Sequence, residues 1–347
     1  MATTDNLGIR TMLKRLLLAT LLLAWSGFAH AATLDTVRQK GFVACGVNVG
    51  LGGFSMPDSK GVWRGLDVDA CRAVAATVFG DATKVRYVPT TGTSRFAALQ
   101  SGEIDILSRN TTWTLTRDAS LGLEFTGVTY YDGQGFMVPK KSKVTGAKQL
   151  KGATVCVQSG TTTEKNLSDY SKANNLAMKP VVFETQEATN KAYFSGRCQA
   201  YTTDASGLAS VRNKEAGNPE DHLILPDLIS KEPLGPAVRR GDDEFFTMVK
   251  WIVFALIEAE EYGITQANVD QMKTSTDPVV QRILGTSEDT GKLLGLDKDW
   301  AYRAIKATGN YGEIFERNVG PKSALQLPRG ANNLWNKGGL MYAPPVR

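Results

Sequence analysis

Ala98-Leu-Gln-Ser-Gly-Glu-Ile-Asp-Ile-Leu-Ser-Arg-Asn110 and Ala192-Tyr-Phe-Ser-Gly-Arg-Cys-Gln-Ala-Tyr-Thr-Thr-Asp204 lie over one another without a gap. Each reads as the end of a helix, a Ser-Gly stop, a short strand, and polar residues where the strand runs out. Gly102 and Gly196 fit the left-handed residue that closes a helix. Two such units imply two similar α/β lobes with strand ends facing each other. In open α/β sheets, ligands bind beyond the carboxyl ends of the strands.

The flanking sequence extends the pattern. Residues 42–47 are a β-rich apolar run followed by the glycine-rich Asn48-Val-Gly-Leu-Gly-Gly-Phe54. Residues 67–79 carry Val68, Cys71, Val74, Ala75 and Val78 on one helical face, with Asp67 as a candidate cap and Gly80 as the stop. Strands are expected at 85–88 and 104–107, with a short helix at 94–101 between them. The second half repeats the order: strand 153–157, helix 161–173, strand 181–183, helix 187–194 and strand 199–203. Alternating β and α elements call for parallel strands covered by helices.

Thr129-Tyr-Tyr-Asp-Gly-Gln-Gly-Phe-Met-Val-Pro139 and Ile229-Ser-Lys-Glu-Pro-Leu-Gly-Pro236 read as two extended crossings between the halves. The expected organisation is lobe one at 32–132 and 237–347, lobe two at 138–230, and a hinge at 133–137 and 231–236. Two-strand hinges allow closure around a ligand. Residues 243–261 form a long amphipathic helix, and helical patterning recurs to about residue 316. Residues 318–347, rich in Pro, Gly and Asn, read as a tail wrapping the surface.

Residues 1–31 have the form of a secretory signal: Lys14 and Arg15, an apolar run at 16–24, and Ala29-His30-Ala31 as the cleavage site. Translation is expected to begin at Met12 and the mature chain near Ala32, which places the product in the periplasm. No Cys follows the cleavage site, so no lipid anchor is expected. The formal charge of +5 drops to +3 when Asp5, Arg10, Lys14 and Arg15 leave with the signal. That mild, scattered charge offers no basic stripe for nucleic acid. The chain is expected to act as a monomer.

Four cysteines in an exported chain suggest two disulfides. Of three connectivities, Cys45–Cys71 and Cys156–Cys198 are expected, because a bridge between lobes would impede a hinge. No Cys-x-x-Cys occurs, and His222 is the only histidine after residue 31, so neither a metal nor a Ser-His pair is expected. The phosphate-loop and dinucleotide patterns at Gly285–Lys292 and Gly50–Ser55 both fail at defining positions. No cofactor is expected.

Three polar loops remain. Ser108-Arg-Asn-Thr-Thr-Trp-Thr-Leu-Thr-Arg-Asp118 offers amide, hydroxyl and guanidinium groups just past a strand, and an Arg forks onto a carboxylate through two parallel hydrogen bonds. A capped turn with Arg117 in a surface pair reads it equally well. Ser159-Gly-Thr-Thr-Thr-Glu164 opens a helix whose free amides attract anions, although capping alone would explain it. Thr202-Thr-Asp204 places a carboxylate where an ammonium could sit, opposite Asn110; helix capping is the rival. Phe54, Trp113 and Tyr130 are either pocket walls or core.

The ordered set Gly65-Leu-Asp-Val-Asp69, Leu99-Gln-Ser-Gly-Glu-Ile-Asp-Ile-Leu107, Thr114-x-x-Arg117, Gly133-Gln-Gly-Phe-Met-Val138, Ser159-Gly-Thr-Thr-Thr163 and Thr202-Thr-Asp204 resembles periplasmic amino-acid-binding proteins of ABC importers, solute-binding family 3. The length and the Ser-Arg-Asn-Thr-Thr-Trp-Thr run are most similar to its general L-amino-acid-binding branch. The resemblance implies a type II-like two-lobed periplasmic binding protein that closes on a free L-amino acid and docks on an inner-membrane ABC permease. It maps Arg117, assisted by Thr161 and Thr162, to the α-carboxylate and Asp204 to the α-ammonium. Asn110 and Thr112 complete the head-group site, and Asn48, Leu51, Phe54 and Arg95 surround the side chain. Leu51, Gly52 and Gly53 stand where narrow-specificity relatives often carry an aromatic and a Pro, which suits a permissive pocket. Two other readings use the same scaffold: an exported enzyme of the cyclohexadienyl or arogenate dehydratase kind, with Glu164 or Glu232 as the acid, and a ligand-sensing module for a chemoreceptor.

Overall fold

The computed structural model describes residues 33–347, so the signal-peptide expectation lies outside the described residues. Two five-stranded sheets form the centres of two lobes. In the first, Val43–Val47 lies between Val85–Pro89 and Ile106–Leu107, all parallel, and Ala237–Arg239 and Leu123–Phe125 complete the sheet in antiparallel sense. In the second, Thr154–Gln158 lies between Lys179–Phe183 and Ala200–Asp204, again parallel, with Gln134–Pro139 and His222–Ile224 added antiparallel. The two quoted stretches therefore end the corresponding strand of each lobe. Gly102 and Gly196 both sit at φ 80°, as the helix stops require.

Tyr130–Asp132 pairs with Glu232–Leu234 as a two-stranded connection between the sheets. Most of the 133–137 stretch expected as hinge belongs to the strand Gln134–Pro139 of the second sheet. Gly133 lies between the two paired stretches, where an added Cβ would stand 3.0 Å from the Ser230 carbonyl.

Asp67 does not cap its helix. The helix Leu66–Phe79 starts at Gly65, whose φ of 133° and close approach to the Phe54 carbonyl exclude other residues. Asp67 instead accepts the Asn110 amide at 2.8 Å, fixing the loop that follows the strand Ile106–Leu107. The first lobe's core runs from Val43, Cys45 and Val47 through Cys71 and Val74 to Phe245, Val249, Ile252 and Leu256 of the long helix Asp243–Glu261. The tail does wrap the surface. Asn332 both donates to and accepts from the Tyr131 backbone at the hinge, and Arg329 pairs with Glu260 at 3.0 Å while stacking over Tyr311 and Phe315.

Disulfides join Cys45 to Cys71 and Cys156 to Cys198, one inside each lobe. Each ties a strand to the helix or loop packed on it, and neither crosses the hinge. The second spans 42 residues, so its loss should cost roughly 3–4 kcal/mol in the loop-entropy model. Cys156→Ser/Cys198→Ser should unfold at clearly lower urea concentration, measured by circular dichroism, with ligand affinity unchanged in the folded protein.

Candidate functional site

The strand ends of both sheets converge on one narrow cavity. Asn48 follows Val43–Val47, Arg109, Asn110 and Thr112 follow Ile106–Leu107, and Arg95 opens a helix after Val85–Pro89. From the second lobe come Gln158 and Thr161–Thr163 after Thr154–Gln158, Gln186 after Lys179–Phe183, and Thr203 and Asp204 ending Ala200–Asp204. Leu51, Tyr201 and Gly207 complete the lining.

The lobes touch across this cavity. Asn48 Nδ2 donates to Gln186 Oε1 at 3.0 Å, and the hydroxyls of Thr112 and Thr162 lie 3.3 Å apart. Arg95 Nη2 reaches the Gly160 carbonyl at 3.4 Å. The two lobes thus meet directly in this structure. Glu232 of the hinge holds it together: its carboxylate accepts Thr112 Oγ1 at 2.6 Å from lobe one, and Thr162 Oγ1 at 2.9 Å and Asn166 Nδ2 at 2.8 Å from lobe two, besides Ser230.

Asp204 is 5% exposed and sits at the N-terminus of the helix Ala205–Glu215, yet its side chain makes no capping bond to that helix. Asn110 of the opposite lobe lies beside its carboxylate. Burial holds its pKa well above the ordinary carboxylate range, and the nearby Asp132 and Glu232 push the same way. Asp132 is itself raised to about 6, mainly by burial, although Ser206 and the Gly133 amide donate to it.

The cavity also carries positive charge. Arg95 and Arg109 line the cavity, each 2% exposed. Arg109 Nε donates to the Thr90 carbonyl, and burial pushes its guanidinium down to about 10. Arg117 lies one step behind the wall. It is 7% exposed, donates to the Thr112 carbonyl at 2.9 Å, and stacks on Phe96, the ring that Arg95 also covers. Burial lowers its pKa to about 10, opposed by the charges of Glu232 and Asp204. The surface-pair reading of Arg117 does not hold, although Thr114 does cap the helix that carries it.

The cavity brings together Asn48, Leu51, Arg95, Asn110, Thr112, Thr161, Thr162 and Asp204 of the expected set. Phe54 is not among its walls. The turn at Leu51–Ser55, closed by Phe54 N to Leu51 O at 3.1 Å, rolls the ring inward to meet Tyr130 edge-on at 5.3 Å. Thr161 serves as cap for Thr162–Ala173, accepting the Glu164 amide and donating to the Gln158 carbonyl. The hydroxyl protons of Thr161 and Thr162 are therefore already committed, which leaves the guanidinium groups and the first helix amides to meet an anion. Sequence reading missed Arg109, Gln158, Thr163, Gln186, Tyr201, Thr203 and Gly207. Gln186 had one usable signal, its position just beyond a parallel strand. Arg109, Thr163 and Thr203 lay inside loops already singled out.

Residues 43–268 match the family model described as bacterial extracellular solute-binding proteins, family 3. The chain belongs to that family. It is 61% identical over 331 residues to the general L-amino acid-binding periplasmic protein AapJ of Rhizobium johnstonii, covering 95% of this chain and 97% of that one. It is 54% identical to the glutamate/glutamine/aspartate/asparagine-binding protein BztA of Rhodobacter capsulatus, over 93% and 95% of the two chains. A solved periplasmic binding protein of an ABC transporter from Brucella ovis, with glutathione bound, superimposes with a TM-score of 0.89 at 58% identity, covering 92% of this chain and all of the other. Family members thus share the two-lobed α/β architecture seen here.

Proposed function

We propose that this family 3 protein is a periplasmic receptor for free L-amino acids of broad range, which closes on its ligand and presents it to an ABC permease in the inner membrane. The observation that carries the reading is Asp204: a buried carboxylate ending a lobe-two strand, free of any bond to its own helix, beside Asn110 of lobe one and in the same cavity as Arg95 and Arg109. A zwitterion needs a cation site and an anion site a few ångströms apart, and this cavity supplies both from opposite lobes. Because the contacts coexist only in the closed form, a ligand that makes them shifts the open–closed population by its affinity difference between states.

The names of the 61% and 54% identical relatives support the amino-acid class. The enzyme reading has less support. Glu232 lines no part of the cavity and is saturated by four donors, while Glu164 accepts the Gly160 amide beside its own helix. Neither acid is placed to protonate a leaving group.

A thermal-shift screen of the twenty amino acids on refolded, ligand-free protein tests the proposal. Only ligands of the native state raise the melting point, by RT ln(1 + [L]/Kd) in free energy. At a hundred times Kd that is about 2.7 kcal/mol, a rise of several degrees. No rise with any of the twenty would refute the receptor reading.

A further inference from the structure

A two-stranded ribbon standing alone has two edges of unpaired backbone groups and little stability of its own. The ribbon that joins the lobes, Tyr130–Asp132 with Glu232–Leu234, has both edges met at its centre. Pro233 stands opposite Tyr131 and has no N–H to offer it. The Pro233 carbonyl takes the Trp113 amide of lobe one at 2.8 Å. On the other strand, the Tyr131 N–H donates to Asn332 Oδ1 at 2.7 Å, and the Tyr131 carbonyl accepts from Asn332 Nδ2 at 3.1 Å. One side chain of the tail thus fills the place of a third strand.

Asn332 is buried, and the tail that carries it belongs to lobe one. Leu334, Met341, Ala343 and Val346 join that lobe's core, and the Val346 amide donates to the buried Glu258 at 3.0 Å. Toward lobe two the tail is loosely attached. The bond from Asn213 Nδ2 to the Ala324 carbonyl, at 3.2 Å, is exposed. An open groove is lined by Leu327 and Leu340 of the tail and by Ala209, Ile224 and Leu228 of lobe two. The tail therefore moves with lobe one, and lobe two has room to move against it. The backbone of lobe two resumes where the Ile229 amide donates to the Gln134 carbonyl at 2.9 Å. With Tyr131 and Pro233 fixed to lobe one, and Gln134 and Ile229 to lobe two, the bend is left to residues 132–133 on one strand and 230–232 on the other.

We infer that Asn332 is a positioning residue for closure. By pinning the Tyr131 backbone to lobe one, it confines the bend to these two short stretches, so the lobes swing along one path and the halves of the cavity meet in register. It acts from outside the cavity, whose lining does not include it, and from beyond residues 43–268, the part shared with the family. A narrower range of ligand-free orientations leaves less freedom to lose on closing, which favours every ligand alike. The inference rests on the closure part of the receptor reading and adds to it.

All four cysteines are held in disulfides, so spin labels on Lys60→Cys in lobe one and Lys148→Cys in lobe two report the interlobe distance without competing thiols. Double electron–electron resonance on refolded, ligand-free protein should give a broader distance distribution in Asn332→Ala than with Asn332 in place. Calorimetric titration without labels should show at least about a threefold loss of affinity for the amino acid with the largest thermal shift, as the closure-competent fraction falls. Asn332→Asp, which can accept from the Tyr131 amide but not donate to its carbonyl, replaces the alanine variant if that one does not fold. A folded variant with the native distance distribution overturns the inference even if its melting temperature drops, since a merely structural bond would do just that. A broadened distribution with native affinity overturns it too. If no amino acid binds the native protein, the receptor reading fails by itself, and the ligand-free distribution still decides whether Asn332 sets the hinge.

Discussion

Asp204→Ala should bind its amino acid at least a hundredfold more weakly than the native protein, with no loss of stability in the ligand-free state. Breaking a buried charge pair by removing one partner costs about 3–5 kcal/mol, because the remaining charge is left desolvated and alone. Each 1.4 kcal/mol is tenfold in affinity, so about 3 kcal/mol already exceeds a hundredfold. The ligand-free protein should behave differently. There Asp204 is a buried carboxylate beside Asp132 and Glu232, and burial raises its pKa strongly. Its removal relieves repulsion and desolvation, so the apo melting temperature should hold or rise. If the carboxylate only capped the helix Ala205–Glu215, the pattern would reverse: about 1 kcal/mol of stability lost and affinity retained. The absence of a side-chain capping bond at Asp204 argues against that outcome. Calorimetric titration and thermal melting of the same preparation separate the two, and Asp204→Asn, which keeps the shape, should track the alanine variant in affinity.

Gly92→Ala should impair closure without touching the fold. Gly92 lies in the lobe-one loop after Val85–Pro89, and a Cβ there would come 2.6 Å from the Ser159 carbonyl of lobe two. Real Cβ contacts do not come that close, and a backbone oxygen cannot swing aside as a flexible side-chain tip can. The clash exists only when the lobes meet. In an open form the added methyl faces solvent, so the apo melting temperature should be native-like. Every ligand contact that depends on full closure is weakened together, since reacting to the clash means stopping the hinge short. We expect at least about a tenfold loss of affinity for all ligands alike, in proportion to the shift in the open–closed equilibrium. Small-angle scattering of the saturated variant should show a larger radius of gyration than the saturated native protein. A native-like affinity would mean that the observed interlobe contact is not part of the ligand-bound state.

The two predictions probe different parts of what the sequence made legible. Asp204 was visible because it ends a strand in a stretch that repeats an earlier one, and strand ends are where α/β sheets bind ligands. Gly92 carried no such signal. It is a glycine in a polar loop, and its importance comes from a surface 67 residues away in sequence that meets it only on closure. The same distinction explains Phe54 and Arg117. The resemblance put both at the ligand; a tight turn at Leu51–Ser55 packs the Phe54 ring against Tyr130, and Arg117 is buried with a bond to the Thr112 carbonyl. The role of Glu232 also lay hidden. Nothing local distinguishes it, and only the meeting of three segments at the hinge converges four donors on one carboxylate.

What the chain alone determined was local and periodic: the β-α order of each half, the helix-stopping glycines, the pairing of cysteines within lobes, and the carboxylate at the end of the repeated stretch. These are decided by neighbours within a few residues, by simple alternation or, for the cysteines, by the order of the two halves, so they can be read without coordinates. The tertiary structure alone decided which polar groups remain free for a ligand. That depends on which donors and acceptors have already satisfied each other across the cleft, and such pairings join residues far apart in the chain through contacts that exist only once both lobes have folded and closed.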